Sequence, residues 1–212
     1  MKGYYNLIAL KSDKINILVV GGGKAAFIKV SSFLKRGCKV TVLSPSISPK
    51  LLEFKDKIKI IKEKYKKDYI LDKHLVVIAT DNESLNSKIR KDCDDLYKIY
   101  IDSSEKEKTL GFNTCQRESE NMIFSLNTKK VCPKATSYIA NKIENKLYMY
   151  DEYVNYLTRL REFLIDSIYK NEIMNFTCSD DFYYFYKKGY GDKVLEMFYY
   201  EFRKIHNKSH TD

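Results

Sequence analysis

The stretch Asn16-Ile-Leu-Val-Val-Gly-Gly-Gly-Lys-Ala-Ala26 decides the fold of this chain of 212 residues. A short apolar run stops at three glycines, and residues 25–34 then carry apolar side chains at helical spacing until a break at Gly37. The segment Gly21-x-Gly23-x-x-Ala26 fits a dinucleotide-binding pattern in which the first glycine permits a tight turn and the second admits a diphosphate to the backbone. We therefore predict a strand, a turn and a helix that bind a nucleotide.

The predicted turn would bind through its backbone. At the start of a helix the N–H groups have no partner within the helix, and the helix dipole adds positive charge there. We expect the phosphates of a cofactor to lie against the backbone of the following residues: Gly21, Gly22, Gly23, Lys24 and Ala25. The alternative is an ordinary glycine-rich turn in a βα unit.

The end of the second predicted strand lacks a common ribose ligand. In many dinucleotide-binding proteins an acidic residue about 20 residues beyond the glycines holds the ribose hydroxyls. Here the strand Lys39–Leu43 is followed by Ser44, Pro45 and Ser46, so neither an acid nor an arginine stands at this point. We expect ribose contacts from the backbone and the serine hydroxyls of these three residues.

Apolar runs alternate with helical patterns through the first half of the chain. Strands are predicted at residues 17–20, 39–43, 58–61, 75–79 and 99–101, and helices at residues 25–34, 49–54 and 82–96. This alternation predicts an α/β protein with a parallel, doubly wound sheet of the Rossmann type. An apolar, strand-like lead at residues 4–10 precedes it.

The residues after the fourth predicted strand have two expected roles, which are contact with the cofactor and stabilisation of the turn and the next helix. Thr80 directly follows a buried strand, which places it to touch the cofactor. Asp81 and Asn82 are residue types that begin helices well, and Asn86 is interpreted as structural because its amide can fix the turn.

The pattern changes beyond Lys108. Residues 122–126 are a strand candidate outside the earlier rhythm, and residues 136 to about 203 are helical and rich in tyrosine. A stripe of tyrosine and leucine recurs there at helical spacing, which indicates a core or a subunit interface more than a surface for a flat ligand. The predicted domains are residues 1–112, 113–145 and 146–212.

Composition restricts the class of protein. A hydrophobic content of 44% predicts a globular protein with a real core. No apolar run approaches the ~20 residues of a membrane span, and the lead is too short for a signal peptide, so we expect a cytoplasmic protein without a membrane partner. The five cysteines are scattered and never form CxxC, which argues against disulfides and zinc.

The net charge of +10 is unevenly distributed. Residues 1–112 carry 23 Lys and Arg against 14 Asp and Glu, which leaves +9 in the predicted nucleotide-binding half. Many of these cations lie in residues 55–67, where charges alternate with isoleucines as on an edge strand. They form either a solvated face or a surface that attracts polyanions. Nucleic acid is not expected as a partner because no nucleic-acid-binding motif accompanies the charge.

Four segments of the chain together resemble one family. They are Val19-Val-Gly-Gly-Gly-Lys-Ala-Ala26, Val40-Thr-Val-Leu-Ser-Pro45, Ala79-Thr-Asp-Asn-Glu-Ser-Leu-Asn86 and Tyr100-Ile-Asp102. Their order and spacing are similar to those of the precorrin-2 dehydrogenases, the amino-terminal proteins of siroheme synthase, some of which are also sirohydrochlorin ferrochelatases. The lead resembles the opening strand of that family, and the helical tail resembles its closing domain.

The resemblance implies a reaction. Members of the family transfer a hydride from precorrin-2, a carboxylate-rich reduced tetrapyrrole, to NAD+ and release sirohydrochlorin on the route to siroheme or cobalamin. A basic cleft at the carboxyl ends of the strands would attract such a substrate. Residues 113–145 resemble the dimerisation segment of the family, which implies a homodimer, and the implied cofactor is NAD.

Asp102 is the candidate catalytic residue. It directly follows an apolar strand, and the resemblance places the catalytic aspartate of the family at the matching position. We expect a pKa raised by a partly dry site, so that the carboxylate accepts the proton that leaves with the hydride. The alternative is a structural aspartate that caps the next turn together with Ser103 and Ser104.

Two departures from the family pattern keep other functions open. The family has a proline where this chain reads Asn113-Thr-Cys115, and a glycine pair where it reads Lys129 and Lys130. The alternatives are a sirohydrochlorin ferrochelatase and a non-catalytic regulatory protein that binds NAD. No protein metal site is expected, because the three histidines, His74, His206 and His210, are not paired with carboxylates at helical spacing.

Overall fold

The computed structural model describes residues 6–105, 107–130, 132–199 and Phe202. The chain forms two compact units, and the division falls between Asn113 and Thr114. The residues beyond these ranges, including His206 and His210, lie outside the described part.

The first unit is a five-stranded parallel sheet with the order β3-β2-β1-β4-β5. Its strands are β1 Asn16–Val20, β2 Lys39–Leu43, β3 Lys59–Ile61, β4 Leu75–Ile78 and β5 Ile99–Asp102. Its helices are α1 Lys24–Leu34, α2 Pro49–Leu52 and α3 Glu83–Asp95, with 3-10 turns at Ser12–Lys14 and Lys67–Ile70. The predicted doubly wound α/β sheet is confirmed.

Successive residues of β1 are buried on opposite faces of the sheet, as the period of a strand requires. Ile17 and Val19 pack in one core cluster with the buried side of α1, while Leu18 and Val20 pack in a second cluster with the buried side of α3. Because both faces are covered, the strand is apolar at nearly every position. The predicted edge strand at residues 58–61 is also confirmed, since β3 lies at one edge of the sheet.

The second unit combines a β-hairpin with helices. Strands β6 Cys115–Glu118 and β7 Ile123–Leu126 pair antiparallel. The helices are α4 Pro133–Leu147, α5 Asp151–Phe163, α6 Lys170–Thr177, α7 Asp180–Lys187 and α8 Gly191–Phe198, with a 3-10 turn at Tyr148–Tyr150. The Asp151 carboxylate accepts the backbone N–H groups of Glu120 (3.2 Å) and Asn121 (3.0 Å), which ties the hairpin turn to the start of α5.

The tyrosine stripe divides between core and surface. Tyr153, Leu160 and Leu164 are buried in the core of the helical unit, whereas Tyr148 and Tyr150 are exposed. The interpretation of the stripe as core is confirmed for its buried members.

The predicted strand at the lead is wrong for the described residues 6–10, which have no regular secondary structure. Leu7, Ile8 and Leu10 are each more than half exposed. A strand needs a hydrogen-bonding partner, and none of these residues pairs with the edge strands β3 and β5 of the sheet. Tyr4 and Tyr5 lie outside the described residues. No helix in the described ranges is both long enough and apolar enough to cross a membrane.

Candidate nucleotide-binding site

Two glycines of the turn between β1 and α1 are required by the fold itself. Gly21 has φ +129°, and a Cβ there would overlap the carbonyl oxygen of Ala79. A Cβ on Gly22 would overlap the carbonyl oxygen of Ser46. The segments that follow β4 and β2 thus close on the turn, and only glycine leaves room for them.

Gly23 differs from its neighbours because no described residue requires a glycine there. Its φ of −93° suits any residue, and a Cβ built on it would meet no atom of the described residues within 4 Å. The residue is exposed, as are Lys24 and Ala25 after it. A glycine with open space in front of it fits a turn that a ligand must approach closely.

The start of α1 presents free donors beside Gly23. The first helical hydrogen bond here is from the Phe27 N–H to the Gly23 carbonyl oxygen, at 3.1 Å. Among the described residues, no acceptor is found for the backbone N–H groups of Lys24 and Ala25, and the first turn holds no acidic side chain. Unpaired N–H groups at a helix start are suited to phosphate oxygens, so the residues fit a dinucleotide.

The segment after β2 is fixed against the glycine turn. The Ser48 N–H donates to the Gly22 carbonyl oxygen at 2.9 Å, and the Ser44 N–H donates to the Ile61 carbonyl oxygen at 3.1 Å. Pro45 and Ser46 are exposed. The Ser48 hydroxyl oxygen is buried and has no hydrogen-bond partner in the described part of the chain, which leaves it available to a polar ligand group.

Thr80 and Asn86 form a hydrogen-bonded pair at the end of β4. The Thr80 hydroxyl donates to Oδ1 of Asn86, and Nδ2 of Asn86 donates to the Thr80 carbonyl oxygen at 3.0 Å and to the Ser104 hydroxyl at 3.2 Å. Asn86 is 1% exposed, so its structural role is confirmed. Asn82 caps α3 by accepting the Leu85 N–H at 2.9 Å, as predicted. The contact of Thr80 with a cofactor stays a prediction.

Asp102 is the last residue of β5, and both oxygens of its carboxylate have polar partners. Its Oδ1 accepts hydrogen bonds from the backbone N–H of Ser104 (2.8 Å), the hydroxyl of Ser104 (2.6 Å) and the backbone N–H of Glu105 (3.3 Å). Its Oδ2 forms an ion pair with the guanidinium of Arg90. The side chain of Asp102 has no exposed surface. This arrangement is that of a capping aspartate, the alternative raised by the sequence.

The expected rise in the pKa of Asp102 is wrong, because the pKa is lowered. Burial by itself raises the pKa of this carboxyl, but the hydrogen bonds from Ser104, the Arg90 guanidinium and the Glu105 N–H together outweigh burial. Asp102 is therefore ionised at neutral pH. Its assignment to proton transfer stays a prediction.

Arg90 is the residue of this edge that sequence reasoning missed. It lies on the buried face of α3, four residues after Asn86, and is 7% exposed. A buried arginine in a helix requires an acidic partner, so its position on the apolar face was a usable sign. The partner itself could not be read from the pattern, because Asp102 belongs to another element.

The remaining candidate residues from the sequence are possible metal ligands and the lysine pair. No group of three or more His, Cys, Asp or Glu side chains in the described ranges could hold a metal ion. His74 lies before β4, where its Nδ1 accepts the Asn16 N–H at 3.0 Å. Lys129 and Lys130 are exposed residues of the second unit.

The fold and the open glycine turn together define a dinucleotide-binding protein of the Rossmann type. Residues 8–112 match the family described as "Putative NAD(P)-binding". The structure is similar to that of SirC, a precorrin-2 dehydrogenase, with a TM-score of 0.64 and 21% identity over 83% of this chain and 90% of SirC.

Proteins similar in sequence include siroheme synthases and a precorrin-2 dehydrogenase. A siroheme synthase of Psychrobacter cryohalolentis is 38% identical over 84 residues, which are 39% of this chain and 16% of that enzyme. A precorrin-2 dehydrogenase of Priestia megaterium is 24% identical over 150 residues, 69% of this chain and 72% of that protein. The match thus spans about one sixth of the siroheme synthase. The chain is therefore similar to the "Putative NAD(P)-binding" family over residues 8–112, and to a precorrin-2 dehydrogenase and siroheme synthases in sequence.

Proposed function

We propose that this chain oxidises precorrin-2 to sirohydrochlorin with NAD+ as the hydride acceptor. The observation that carries the proposal is Gly23, a glycine that the fold does not require, beside free N–H groups at the start of α1. Sequence similarity supports precorrin-2 as the substrate, because the precorrin-2 dehydrogenase of Priestia megaterium aligns with 69% of the chain.

The residues around the turn would each hold one part of the cofactor. The backbone of Gly21, Gly22 and Gly23 admits the diphosphate, and the N–H groups of Lys24 and Ala25 bind its oxygens. Thr80 lies at the end of β4, next to β1 in the sheet, where it would contact the cofactor. Bound NAD+ supplies a ring that accepts the hydride.

NAD is proposed over NADP because the family that the chain resembles uses NAD, and the residues after β2 are compatible with that choice. Ser44, Pro45 and Ser46 offer hydroxyls and backbone to the ribose but no cation to a 2′-phosphate. The charge of the chain is complementary to that of the substrate, because residues 1–112 carry a net +9 and precorrin-2 is rich in carboxylates.

The proton that leaves with the hydride is assigned to Asp102 as a prediction. The lowered pKa keeps the carboxylate ionised at neutral pH, but it also makes the carboxylate a weaker base than the raised pKa expected from the sequence. In favour of the capping role stand the hydrogen bonds of Asp102 to Ser104 and Glu105. A substitution that removes only the charge separates the two roles.

A homodimer is part of the proposal. Strands β6 and β7 form a sheet of two strands, which is marginal by itself, and Ile123 of β7 is 64% exposed. Sedimentation equilibrium of the full chain tests the dimer, which a purely monomeric species would exclude.

The activity is tested by incubating the protein with precorrin-2 and NAD+ and following the absorbance of NADH. We expect NADH formation, and its absence with NAD+ bound would exclude the dehydrogenase. Adding Co2+ or Fe2+ to sirohydrochlorin in a parallel sample measures chelation. Activity in that sample alone identifies a ferrochelatase, and activity in neither identifies a binding protein.

A further inference from the structure

A buried arginine lies between two carboxylates at the carboxyl edge of the sheet. Nη1 of Arg90 contacts Oδ2 of Asp102, while Nη2 contacts Oε1 of Glu83 at 2.5 Å and the Ser87 hydroxyl at 2.8 Å. Three of these residues belong to α3, and Asp102 belongs to β5. The guanidinium therefore joins the helix that follows β4 to the end of the neighbouring strand.

The two oxygens of Asp102 have separate partners. Oδ1 holds the turn after β5 through Ser104 and Glu105, whereas Oδ2 contacts only Arg90 among the hydrogen bonds found in the described residues. The oxygen that could exchange a proton without releasing the turn is thus the one that Arg90 controls.

The same turn is connected to Thr80. Nδ2 of Asn86 donates to the Ser104 hydroxyl, which itself donates to Asp102, and Oδ1 of Asn86 accepts the Thr80 hydroxyl. A chain of hydrogen bonds therefore runs from the candidate catalytic carboxylate to the candidate cofactor contact. Displacement of Asp102 would therefore change the hydrogen bonds that hold Thr80.

We propose that Arg90 is a positioning residue that holds the Asp102 carboxylate in its ionised form and in one orientation at the edge of the site. Arg90 acts through Asp102 and needs no contact with substrate. The effect on turnover rests on the proposed function, whereas the effect on the carboxylate does not.

The charges around the pair favour this role. On α3 Glu83 accepts from Arg90 and also lies 3.7 Å from Lys108, and in the turn after β5 Lys108 pairs with Glu105 at 2.7 Å. On β4 the described residues bring no charged group to the pair. Without Arg90, Asp102 would be a buried carboxylate that has lost its ion-pair partner, which disfavours the ionised form.

The direct test follows the Asp102 carboxyl by carbon-13 NMR while the pH is changed, in the wild-type protein and in Arg90→Gln. We expect protonation at higher pH in Arg90→Gln. The matched control is Arg36→Gln, since Arg36 of the same unit bonds to Ser32 instead. An unchanged titration of Asp102 in folded Arg90→Gln would overturn the proposal. This readout requires no activity, so it stands even where precorrin-2 is not a substrate.

A double-variant cycle covers turnover and folding. If Arg90 acts through Asp102, Arg90→Gln lowers precorrin-2 turnover about tenfold at pH 6 in the wild-type background but has no further effect in Asp102→Asn. A further tenfold loss in Asp102→Asn would overturn the proposal. If Arg90→Gln alone does not fold, adding Asp102→Asn should restore folding by removing the uncompensated charge, and failure to restore it counts against the proposal.

Discussion

The carbonyl oxygen of Ser46 occupies the space that a Cβ on Gly22 would need, whereas the adjacent Gly23 faces open space. The two glycines are neighbours in sequence but serve different requirements. Gly22 is required because the segment after β2 lies against the turn. The carbonyl oxygen of Gly22 accepts the Ser48 N–H from that segment. Gly23 is required only if a ligand approaches the backbone there.

Alanine substitutions at the two positions should therefore have unequal consequences for stability. Gly22→Ala forces the backbone at Ser46 to move and should lower the free energy of unfolding by about 1–3 kcal/mol or more. Gly23→Ala should change it by less than about 1 kcal/mol, because the added methyl meets nothing. Urea denaturation measures both. Equal losses in the two variants would contradict the assignment.

Gly23→Asp should abolish cofactor binding while the protein stays folded. Aspartate is a good first residue for a helix, so α1 should be as stable as before or more stable. The carboxylate would occupy the approach to the backbone and repel the diphosphate, weakening NAD+ binding about 100-fold or more. Calorimetric titration measures the affinity.

Gly23→Asn is the matched control for that variant, since it has nearly the same volume without the charge. We expect an intermediate loss of affinity. Undiminished NAD+ affinity in folded Gly23→Asp would show that the turn does not bind the diphosphate.

Asp102→Asn tests the assignment of proton transfer. Asparagine retains an oxygen for the Ser104 and Glu105 donors but cannot accept a proton, so turnover of precorrin-2 should fall about 10²–10⁴-fold. The affinity for NAD+ should hardly change. Turnover equal to that of the wild type would remove Asp102 from the mechanism and leave it as the cap of the turn.

The β1 strand, the glycine turn and the start of α1 could be predicted almost residue by residue. These features are local, so each selects the residue types at adjacent positions. A strand buried on both faces needs an apolar run, a positive φ favours glycine, and a helix start has its own preferred residues. The strand Lys39–Leu43 was predicted with its observed bounds for the same reason. In contrast, β6 was missed because Cys115-Gln-Arg-Glu118 has no apolar period.

The state of Asp102 could be predicted only in part, because its lowered pKa depends first on the nearby Ser104 and then on Arg90 from another element. Its position at the end of β5 follows from the apolar run before it, but its low pKa depends partly on Arg90, twelve residues earlier on α3. The lead failed for a related reason, since an apolar run predicts a strand only where another strand is free to pair with it.

The lowered pKa of Asp102 predicts a dependence of stability on pH. A carboxyl with a lower pKa in the folded than in the unfolded state stabilises the fold fully above the unfolded value of about 3.9, and this contribution is lost as the pH falls through the folded value. The difference in free energy of unfolding between the wild type and Asp102→Asn should therefore be largest at pH 7 and should shrink at about pH 3.

Urea denaturation of the two proteins at both pH values measures this difference. Ser104→Ala serves as a control that keeps the carboxylate and removes one of its donors, so it should lie between the two. A difference that stays constant from neutral to acid pH would show that Asp102 is not held ionised by its partners.

The most direct measurement of the central claim is the stoichiometry of a single reaction. The full chain is incubated with precorrin-2 and NAD+, and NADH and sirohydrochlorin are quantified in the same sample. The proposed function predicts that the two products form in equal amounts with the wild-type protein and that neither accumulates above the uncatalysed rate with Gly23→Asp. Sirohydrochlorin formed without NADH, or product formation by Gly23→Asp at the wild-type rate, would contradict NAD-dependent oxidation at this turn.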